Sequence, residues 1–255
     1  MSNTEFTNKV VLITGAASGI GEAIALAFAE QQATVVVADV NIEAGRDVAS
    51  RCGGNSIFMP LDVTNEQQWI DAIEQINTLF KRLDVLVNNA GTGSYVSFEE
   101  LHLEQWQAEI DLNLTGTFLG CKQALTLLKK SSGASIINMS SVHGSKPHPL
   151  AIAYSATKAA VLSLTRTVAI HCGNAGYSVR CNAIQPGYTY TPLLNNAIAE
   201  AQDGAAMVTG LEQMHPIGRL ADSEEVADAA LFLASNKAKF ITGISLPVDG
   251  GFTAV

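Results

Sequence analysis

The stretch VVLITGAASGIG, residues 10–21, decides the fold. Its first five residues, VVLIT, are apolar or β-branched without polar alternation, which predicts a strand buried on both faces. The glycines at 15, 19 and 21 follow directly, and the next ten residues, EAIALAFAEQ, have the periodicity of an amphipathic helix. A buried strand, a glycine-rich turn and a helix together indicate the beginning of a parallel α/β sheet.

The same alternation continues along the whole chain. Helical patterns at 66–80 and from about 104 to 130 separate short apolar runs, and no linker, repeat or charge block interrupts them. We therefore expect one α/β domain over residues 1–255, a doubly wound Rossmann fold of about seven parallel strands with helices on both faces. The strand candidates are 10–14, 34–39, 56–60, 84–88, 135–140, 179–184 and one within 241–248.

Composition restricts the class of function. Charged residues make up 15% of the 255 residues and the net charge is −9, whereas typical domains have about 25% charged residues. The acidic balance argues against nucleic acid and anionic membranes as partners. The low charge indicates a large core and buried subunit faces. The first residues lack a signal-peptide pattern and no run reaches about 18 apolar residues, so we expect a cytoplasmic protein.

Cysteines and histidines give no metal pattern. Cys52, Cys121, Cys172 and Cys181 lack C-x-x-C spacing, and the five histidines lack H-E-x-x-H spacing. The cysteines are therefore expected to be small buried hydrophobic residues, and no metal site is expected.

The glycine-rich turn TGAASGIG, residues 14–21, is a candidate phosphate site. Glycines allow close approach of a ligand to the backbone, and the following helix offers free N–H groups to a phosphate. The spacing G-x-x-x-G-x-G differs from the general fingerprint G-x-G-x-x-G, and such a turn can be purely structural. Its position after the first strand favours dinucleotide binding.

Asp39 ends the second predicted strand, where an acidic residue can accept hydrogen bonds from the ribose hydroxyls of a dinucleotide. Its carboxylate would repel a 2′-phosphate, and Ala16, Ala17, Val40 and Asn41 provide no cation to neutralise one. The coenzyme is therefore expected to be NAD. The alternative is that Asp39 caps the helix beginning near Asn41.

The segment YSATK, residues 154–158, places a phenol and an ammonium group one helical turn apart. A phenol has a pKa of about 10 and is a poor base at neutral pH, but a fixed cation nearby favours the phenolate. The pair can act as an acid/base unit. A tyrosine and a lysine at this spacing also occur by chance in many helices.

Six motifs together resemble the short-chain dehydrogenase/reductase family over nearly the whole chain. They are TGAASGIG, Asp39, NNAG at 88–91, Asn113, Ser141 within NMSS at 138–141, and YSATK, with further matches in NAIQPGYTYTP at 182–192 and DGG at 249–251. Taken singly, NNAG and NMSS are also typical of structural turns. The glycine spacing that departs from the general fingerprint is the pattern of this family.

The resemblance implies a catalytic tetrad and an NAD site. Tyr154 would be the acid/base, Lys158 would lower the phenol pKa and hold the nicotinamide ribose, Ser141 would bind the substrate oxygen, and Asn113 would support a proton relay through water. Besides Tyr154 and Lys158, the implied cofactor residues are Gly15, Ser18, Gly19, Ile20, Gly21, Asp39, Asp62, Val63, Asn89, Ala90, Gly91, Pro186, Gly187, Thr189 and Thr191.

The substrate is expected to be a hydrophobic secondary alcohol or its ketone, such as a hydroxysteroid or a cyclic alcohol. His143 is either a polar anchor for it or an ordinary solvated histidine. A segment poor in strand pattern, 192–215, is expected to form a mobile lid. The candidate pocket residues, which are mostly apolar, are Ser141, His143, Leu150, Tyr154, Gln185, Tyr188, Tyr190 and Leu193.

Two other functions remain open, a 3-oxoacyl-thioester reductase and a non-catalytic NAD-binding scaffold. Asp39 and the acidic surface argue against the first, and the complete tetrad argues against the second. The resemblance and the helical segments 104–130 and 152–172 also imply a homotetramer.

Overall fold

Seven parallel strands form one sheet, in the order β3-β2-β1-β4-β5-β6-β7, in the computed structural model, which describes residues 5–255. This confirms the predicted α/β class and the doubly wound sheet. All seven strand candidates are strands, with ends that differ by a few residues. The strands are β1 (Val10–Thr14), β2 (Thr34–Asp39), β3 (Ile57–Pro60), β4 (Val85–Asn88), β5 (Ala134–Met139), β6 (Val179–Pro186) and β7 (Ser245–Val248).

Both faces of the sheet are buried, as the continuous apolar runs predict. Leu12 and Val36 belong to the core on one face, and Ile13 and Val37 belong to the core on the other. All four side chains are fully inaccessible to solvent. Because successive side chains of a strand point to opposite faces, only an uninterrupted apolar run can supply both cores.

Nine α-helices surround this sheet in the described part of the chain. Residues of α1, α2 and α9 contribute to one core, and residues of α3, α5 and α6 contribute to the other. The helices are α1 (Gly19–Glu30), α2 (Ile42–Cys52), α3 (Glu66–Phe80), α4 (Leu103–Ile110), α5 (Gly116–Leu128), α6 (Ile152–Asn174), α7 (Pro192–Glu200), α8 (Gly204–Gln213) and α9 (Ser223–Ala234).

Two segments differ from a simple reading of the sequence. The helical run predicted from about 104 to 130 contains a π-helical turn at Asp111–Thr115, between α4 and α5. The expected lid, 192–215, consists mainly of the two helices α7 and α8. No side chain of α7 is buried.

The strand order reverses beside β1, whose neighbours are β2 and β4. Ligands bind at such a switch point, outside the carboxyl ends of the strands. Here direct hydrogen bonds connect the end of β1 and its loop to the loop after β4. The Thr14 hydroxyl accepts hydrogen bonds from the Asn89 and Ala90 amides, and the Asn89 side chain donates to the carbonyls of Thr14 and Gly15.

Within residues 5–255, no helix combines the length and apolar character needed to cross a bilayer. The same residues contain no group of three or more histidine, cysteine or acidic side chains that could hold a metal ion. Cys121, Cys172 and Cys181 are buried free thiols, and Cys52 is partly buried.

Candidate active site

A cleft of about 640 Å³ opens where β1, β4, β5 and β6 end. It is within the usual size of small-molecule sites, about 300–1,000 Å³. Most of the residues expected at the site border it. These are Gly15, Ser18, Gly19, Ile20, Asn89, Ala90, Gly91, Ser141, His143, Tyr154, Lys158, Pro186, Gly187, Tyr188, Thr189, Thr191 and Leu193.

The remaining expected residues do not line this cleft. Among the substrate candidates, Gln185 is buried and donates hydrogen bonds to the Ser145 hydroxyl, at 2.6 Å, and to the Ser141 carbonyl. Leu150 and Tyr190 carry partly solvent-exposed side chains. Gln185, Leu150 and Tyr190 therefore do not border the cleft in the structure, and their contact with a substrate stays a prediction. The others outside the lining are Gly21, Asp39, Asp62, Val63 and Asn113.

The glycine-rich turn forms a cradle that side chains would fill. Gly15 has a φ of +61°, a conformation that favours glycine. A Cβ on Gly21 would lie 2.1 Å from the Gly15 carbonyl oxygen. Ser18 begins α1 without a side-chain capping bond, so N–H groups of the first turn remain available to an anion. The turn therefore fits the pyrophosphate of a dinucleotide.

Asp39 holds the glycine-rich turn to the end of β2. One carboxylate oxygen accepts a hydrogen bond from the Ala17 amide at 2.9 Å, and the other accepts from the Asn41 amide at 2.8 Å. The capping alternative is not met, because Asn41 itself caps α2 by accepting from the Ala44 amide. Each carboxylate oxygen of Asp39 can accept one more hydrogen bond. A ribose hydroxyl could donate it.

Asp62 and Val63 follow β3 and have local partners. The Asp62 carboxylate accepts from the amide and hydroxyl of Thr64. The Val63 carbonyl accepts from the buried indole of Trp69 at 3.0 Å. These bonds fix the backbone beside the position where the resemblance expects the adenine.

Asn113 lies inside the π-helical turn and is fully buried. Its side-chain oxygen accepts from the Thr92 amide, and its side-chain nitrogen donates to the Thr92 carbonyl and to the Thr157 hydroxyl. π-helical turns are frequent at functional sites, where they re-aim side chains. Here Asn113 ties the loop after β4 to the helix that carries Tyr154.

Glu109, one helical turn before Asn113, is a buried carboxylate that sequence reasoning missed. One of its oxygens accepts hydrogen bonds from both the amide and the hydroxyl of Ser94, and the other is buried without a partner in the described residues. Glu109 thus holds Ser94, and Asn113 holds Thr92. Gly93 lies between Thr92 and Ser94 in the loop, and a Cβ on Gly93 would come within 2.7 Å of the Tyr154 ring.

Tyr154 and Lys158 lie on one face of α6, as their spacing predicts. The Lys158 ammonium nitrogen is 5.5 Å from the centre of the Tyr154 ring and donates to the Met139 carbonyl at 2.9 Å. Ser141 follows β5, and its side-chain oxygen accepts from the His143 amide at 3.2 Å. The structure therefore brings a phenol, an ammonium group and a hydroxyl together at one end of the cleft.

The side chains alone do not lower the phenol pKa. Burial raises the pKa of Tyr154 to about 12, and the neighbouring Ser141 hydroxyl opposes this effect. Burial also lowers the pKa of Lys158 to about 8. In the polypeptide alone, burial is the largest effect on the Tyr154 phenol and disfavours the phenolate.

His143 is not a solvated histidine, which corrects one of the two expectations for it. Its ring is 4% exposed, and its nitrogens contact the Lys146 carbonyl at 3.2 Å and the Tyr188 hydroxyl at 3.1 Å. Burial lowers its pKa. In a neutral ring, Nδ1 donates a hydrogen bond to the Lys146 carbonyl, and Nε2 accepts one from the Tyr188 hydroxyl. Both nitrogens of the His143 ring therefore have partners.

Other residues also line the cleft, and those from Pro192 to Met214 belong to the segment 192–215 that the sequence predicts as a lid over the substrate. Three of them, Met207, Leu211 and Met214, recur at helical spacing in and after α8, a signal that would have predicted an apolar face. The loop after NNAG carried no comparable signal. The full set is Thr92, Gly93, Ser94, Tyr95, Met139, Ser140, Val142, His148, Ala151, Pro192, Leu194, Ala197, Met207, Leu211 and Met214.

Comparison with known proteins agrees with this geometry. A family model described as Enoyl-(Acyl carrier protein) reductase matches residues 15–253. The chain is 40% identical to a 2,5-dichloro-2,5-cyclohexadiene-1,4-diol dehydrogenase of Sphingobium indicum, over 96% of both chains. It is 38% identical to a trans-4-hydroxycyclohexanecarboxylate dehydrogenase of Sinomonas cyclohexanicum, over 96% of this chain and 93% of that one.

Two further proteins extend the comparison. A cyclopentanol dehydrogenase of Comamonas is 36% identical, over 97% of this chain and 98% of that one. The structure of ligand-free aldohexose dehydrogenase from Thermoplasma acidophilum superposes with a TM-score of 0.89 at 34% identity, over 99% of this chain and 96% of that one. Matches of this extent support an alcohol oxidoreductase with a nicotinamide cofactor, and the chain belongs to the short-chain dehydrogenase/reductase family.

Proposed function

We propose that this protein is an NAD-dependent dehydrogenase that interconverts a secondary alcohol on a small carbon ring and its ketone, with Tyr154 as the acid/base. One observation carries the proposal. The Tyr154 phenol, the Ser141 hydroxyl and the Lys158 ammonium group share one cleft with the apolar side chains of α7 and α8. The named relatives add support, because three of them act on ring alcohols by name.

The hydrogen bonds of the polypeptide support the role proposed for each residue. The Ser141 oxygen accepts from the His143 amide, so its own proton is available to the substrate oxygen. Lys158 gives one proton to the Met139 carbonyl and keeps two for the nicotinamide ribose and the phenol. Asn113 fixes Thr92 beside the cleft and supports a relay of the proton to solvent through water.

In the oxidative direction, the substrate carbon loses a hydride and its hydroxyl loses a proton to Tyr154. NAD, when bound, would supply a hydride acceptor and a positively charged nicotinamide ring. A phenol with a pKa of about 12 holds its proton at neutral pH, which suits the acid that reduces a ketone. Oxidation needs the Tyr154 phenolate as the base, and further positive charge nearby would be required to form it at neutral pH. Because the phenolate fraction increases with pH, oxidation should accelerate as the pH rises.

The choice of NAD rests on Asp39. Its carboxylate lies at the end of β2 and is followed by the uncharged residues Val40 and Asn41. A 2′-phosphate would meet this anion without a neighbouring cation in the sequence. We also propose a homotetramer, because Phe118 of α5, Ile170 of α6 and Phe240 expose 45%, 63% and 100% of their surfaces. Light scattering that gives the mass of a single chain would exclude the tetramer.

The test is NADH formation over a panel of alcohols. We expect turnover of cyclopentanol and cyclohexanol, with hydroxysteroids included as larger candidates. Tyr154→Phe should reduce turnover by at least about a thousandfold, within the contribution known for acid/base groups, while NADH binding is kept because the ring remains. A non-catalytic scaffold would oxidise none of the alcohols. Reduction of a 3-oxoacyl thioester in place of ring-alcohol oxidation would replace the proposal.

A further inference from the structure

Aromatic and imidazole rings surround Tyr154 on the substrate side of the cleft. The His143 ring lies 6.3 Å from the Tyr154 ring and 5.5 Å from those of His148 and Tyr188, measured between centres. Tyr95 packs edge-on against His148 at 5.2 Å. All five side chains border the cleft. Several of these rings carry hydrogen-bonding atoms, and their partners decide which of them can bind a substrate.

His143 and Tyr188 are hydrogen-bonded to each other. The Tyr188 hydroxyl donates to one nitrogen of His143, whose other nitrogen donates to the Lys146 carbonyl. His143 therefore fixes Tyr188 and has no N–H left for a ligand.

His148 is different. Its Nδ1 accepts a hydrogen bond from the Leu150 amide at 3.2 Å. In a neutral imidazole with Nδ1 as the acceptor, Nε2 carries the proton. No hydrogen bond from Nε2 to another group is present in residues 5–255, so His148 keeps one free donor at the cleft. Tyr95 on one side and His143 on the other limit the orientations of the ring.

The charged side chains at the cleft limit the kind of substrate group that the Nε2 donor of His148 can bind. Among the described residues that border the cleft, Lys158 is the only side chain with a lysine or arginine charge. No aspartate or glutamate among them borders the cleft. Lys158 is bound to the Met139 carbonyl beside the catalytic phenol. A carboxylate on the substrate would find no second fixed cation. The facing side chains, including Leu193, Met207 and Met214, are apolar and suit ring carbons.

We propose that His148 determines substrate choice by donating its Nε2 proton to a second, uncharged oxygen of the ring, so that the preferred substrates are ring diols and hydroxyketones. This inference rests on the proposed function, because it assumes that a ring alcohol is oxidised at Tyr154. The oxidation of one hydroxyl follows the chemistry given above, and the second oxygen takes no part in the bond changes.

The test compares three substrates that share one ring. These are cyclohexanol, trans-1,4-cyclohexanediol and trans-4-hydroxycyclohexanecarboxylate, each with saturating NAD. A neutral hydrogen bond should favour the diol over cyclohexanol in kcat/KM by about three- to tenfold. This factor remains after division by two for the two equivalent hydroxyls of the diol. The hydroxycarboxylate should be the poorest of the three.

Two variants isolate the donor. His148→Leu should reduce the corrected diol-to-cyclohexanol ratio to about one, mainly by raising KM for the diol, since the lost contact is made before the chemical step. His148→Gln also offers an N–H donor and should retain most of the ratio. A role of His148 in packing alone would lower kcat/KM for both substrates by the same factor in His148→Leu.

The outcomes are distinct. A corrected ratio near one in the unmodified enzyme overturns this inference while the proposed function stands, and this measurement does not depend on whether a variant folds. Preference for the hydroxycarboxylate also overturns it. If none of the three alcohols is oxidised, the proposed function fails and this inference fails with it.

Discussion

The buried ammonium group of Lys158 predicts an unusual dependence of stability on pH. Lys158 is 3% exposed, and burial lowers its pKa from 10.5 to about 8. In the unfolded chain the same group keeps its ordinary pKa. Between about pH 8 and 10 the unfolded state therefore binds more protons than the folded state. Because of this difference, the free energy of unfolding rises with pH in that window.

The magnitude follows from the two pKa values. The fall from 10.5 to about 8 is a difference of about 2.5, and each pKa unit corresponds to about 1.4 kcal/mol. At pH 7, below both values, the charged and desolvated Lys158 costs the folded state about 3 kcal/mol. By about pH 10 most of this cost is removed, because the folded protein has released the proton.

The assay is urea unfolding of the ligand-free protein from pH 7 to pH 10, with Lys158→Met as the matched variant of similar length. The advantage of the variant over the unmodified protein should shrink by about 2–3 kcal/mol across this range. Burial also raises the pKa of Tyr154 to about 12, which destabilises the fold above about pH 10. Repeating both measurements with Tyr154→Phe removes that contribution. A difference that stays constant from pH 7 to 10 would refute the reasoning and would mean that the folded protein keeps the Lys158 proton.

Three further predictions concern the coenzyme, the loop after β4 and the lid. Asp39→Ser should relax a preference for NAD over NADP of about a hundredfold, and adding Val40→Arg should favour NADP; equal use of both coenzymes by the unmodified enzyme would contradict the role of Asp39. Glu109→Leu removes both hydrogen bonds to Ser94 and should lower kcat/KM by about tenfold or more, whereas Glu109→Gln retains an acceptor and should lose less; equal losses in both would contradict the contact. Amide hydrogen exchange in 192–215 should be fast without ligands and slower with NADH and substrate, and protection equal to that of the central strands without ligands would exclude a lid.

The sheet and the glycine-rich turn at the cleft could be predicted because their signals are local. A continuous apolar run such as residues 10–14 predicts a fully buried strand without knowledge of its neighbours. The glycine-rich turn follows β1 within a few residues, and its function depends on backbone conformation. Tyr154 and Lys158 share a face because any helix places residues four apart together. Each of these inferences needs only a short segment of sequence.

The π-helical turn at 111–115 could not be predicted in the same way. A periodicity near 3.6 residues describes the run from 104 to 130 well, and a single wider turn changes that pattern little. The turn is stabilised by distant contacts, chiefly the bonds from Asn113 to Thr92, which is 21 residues away in sequence. Glu109 was missed for the same reason, since its partner Ser94 lies 15 residues earlier.

The surroundings of His143 at the cleft are also held by distant contacts. His143 and Tyr188 are 45 residues apart, and Gln185 and Ser145 are 40 residues apart. Whether a polar side chain faces the cleft or an internal partner is decided by these pairs. Gln185 and His143 have internal partners, whereas His148 keeps a free donor because its Nδ1 is used by the nearby Leu150 amide. The hydrogen-bond partners of each polar group in the folded chain therefore distinguish side chains that remain free to bind a ligand from those with internal partners, where residue type alone does not.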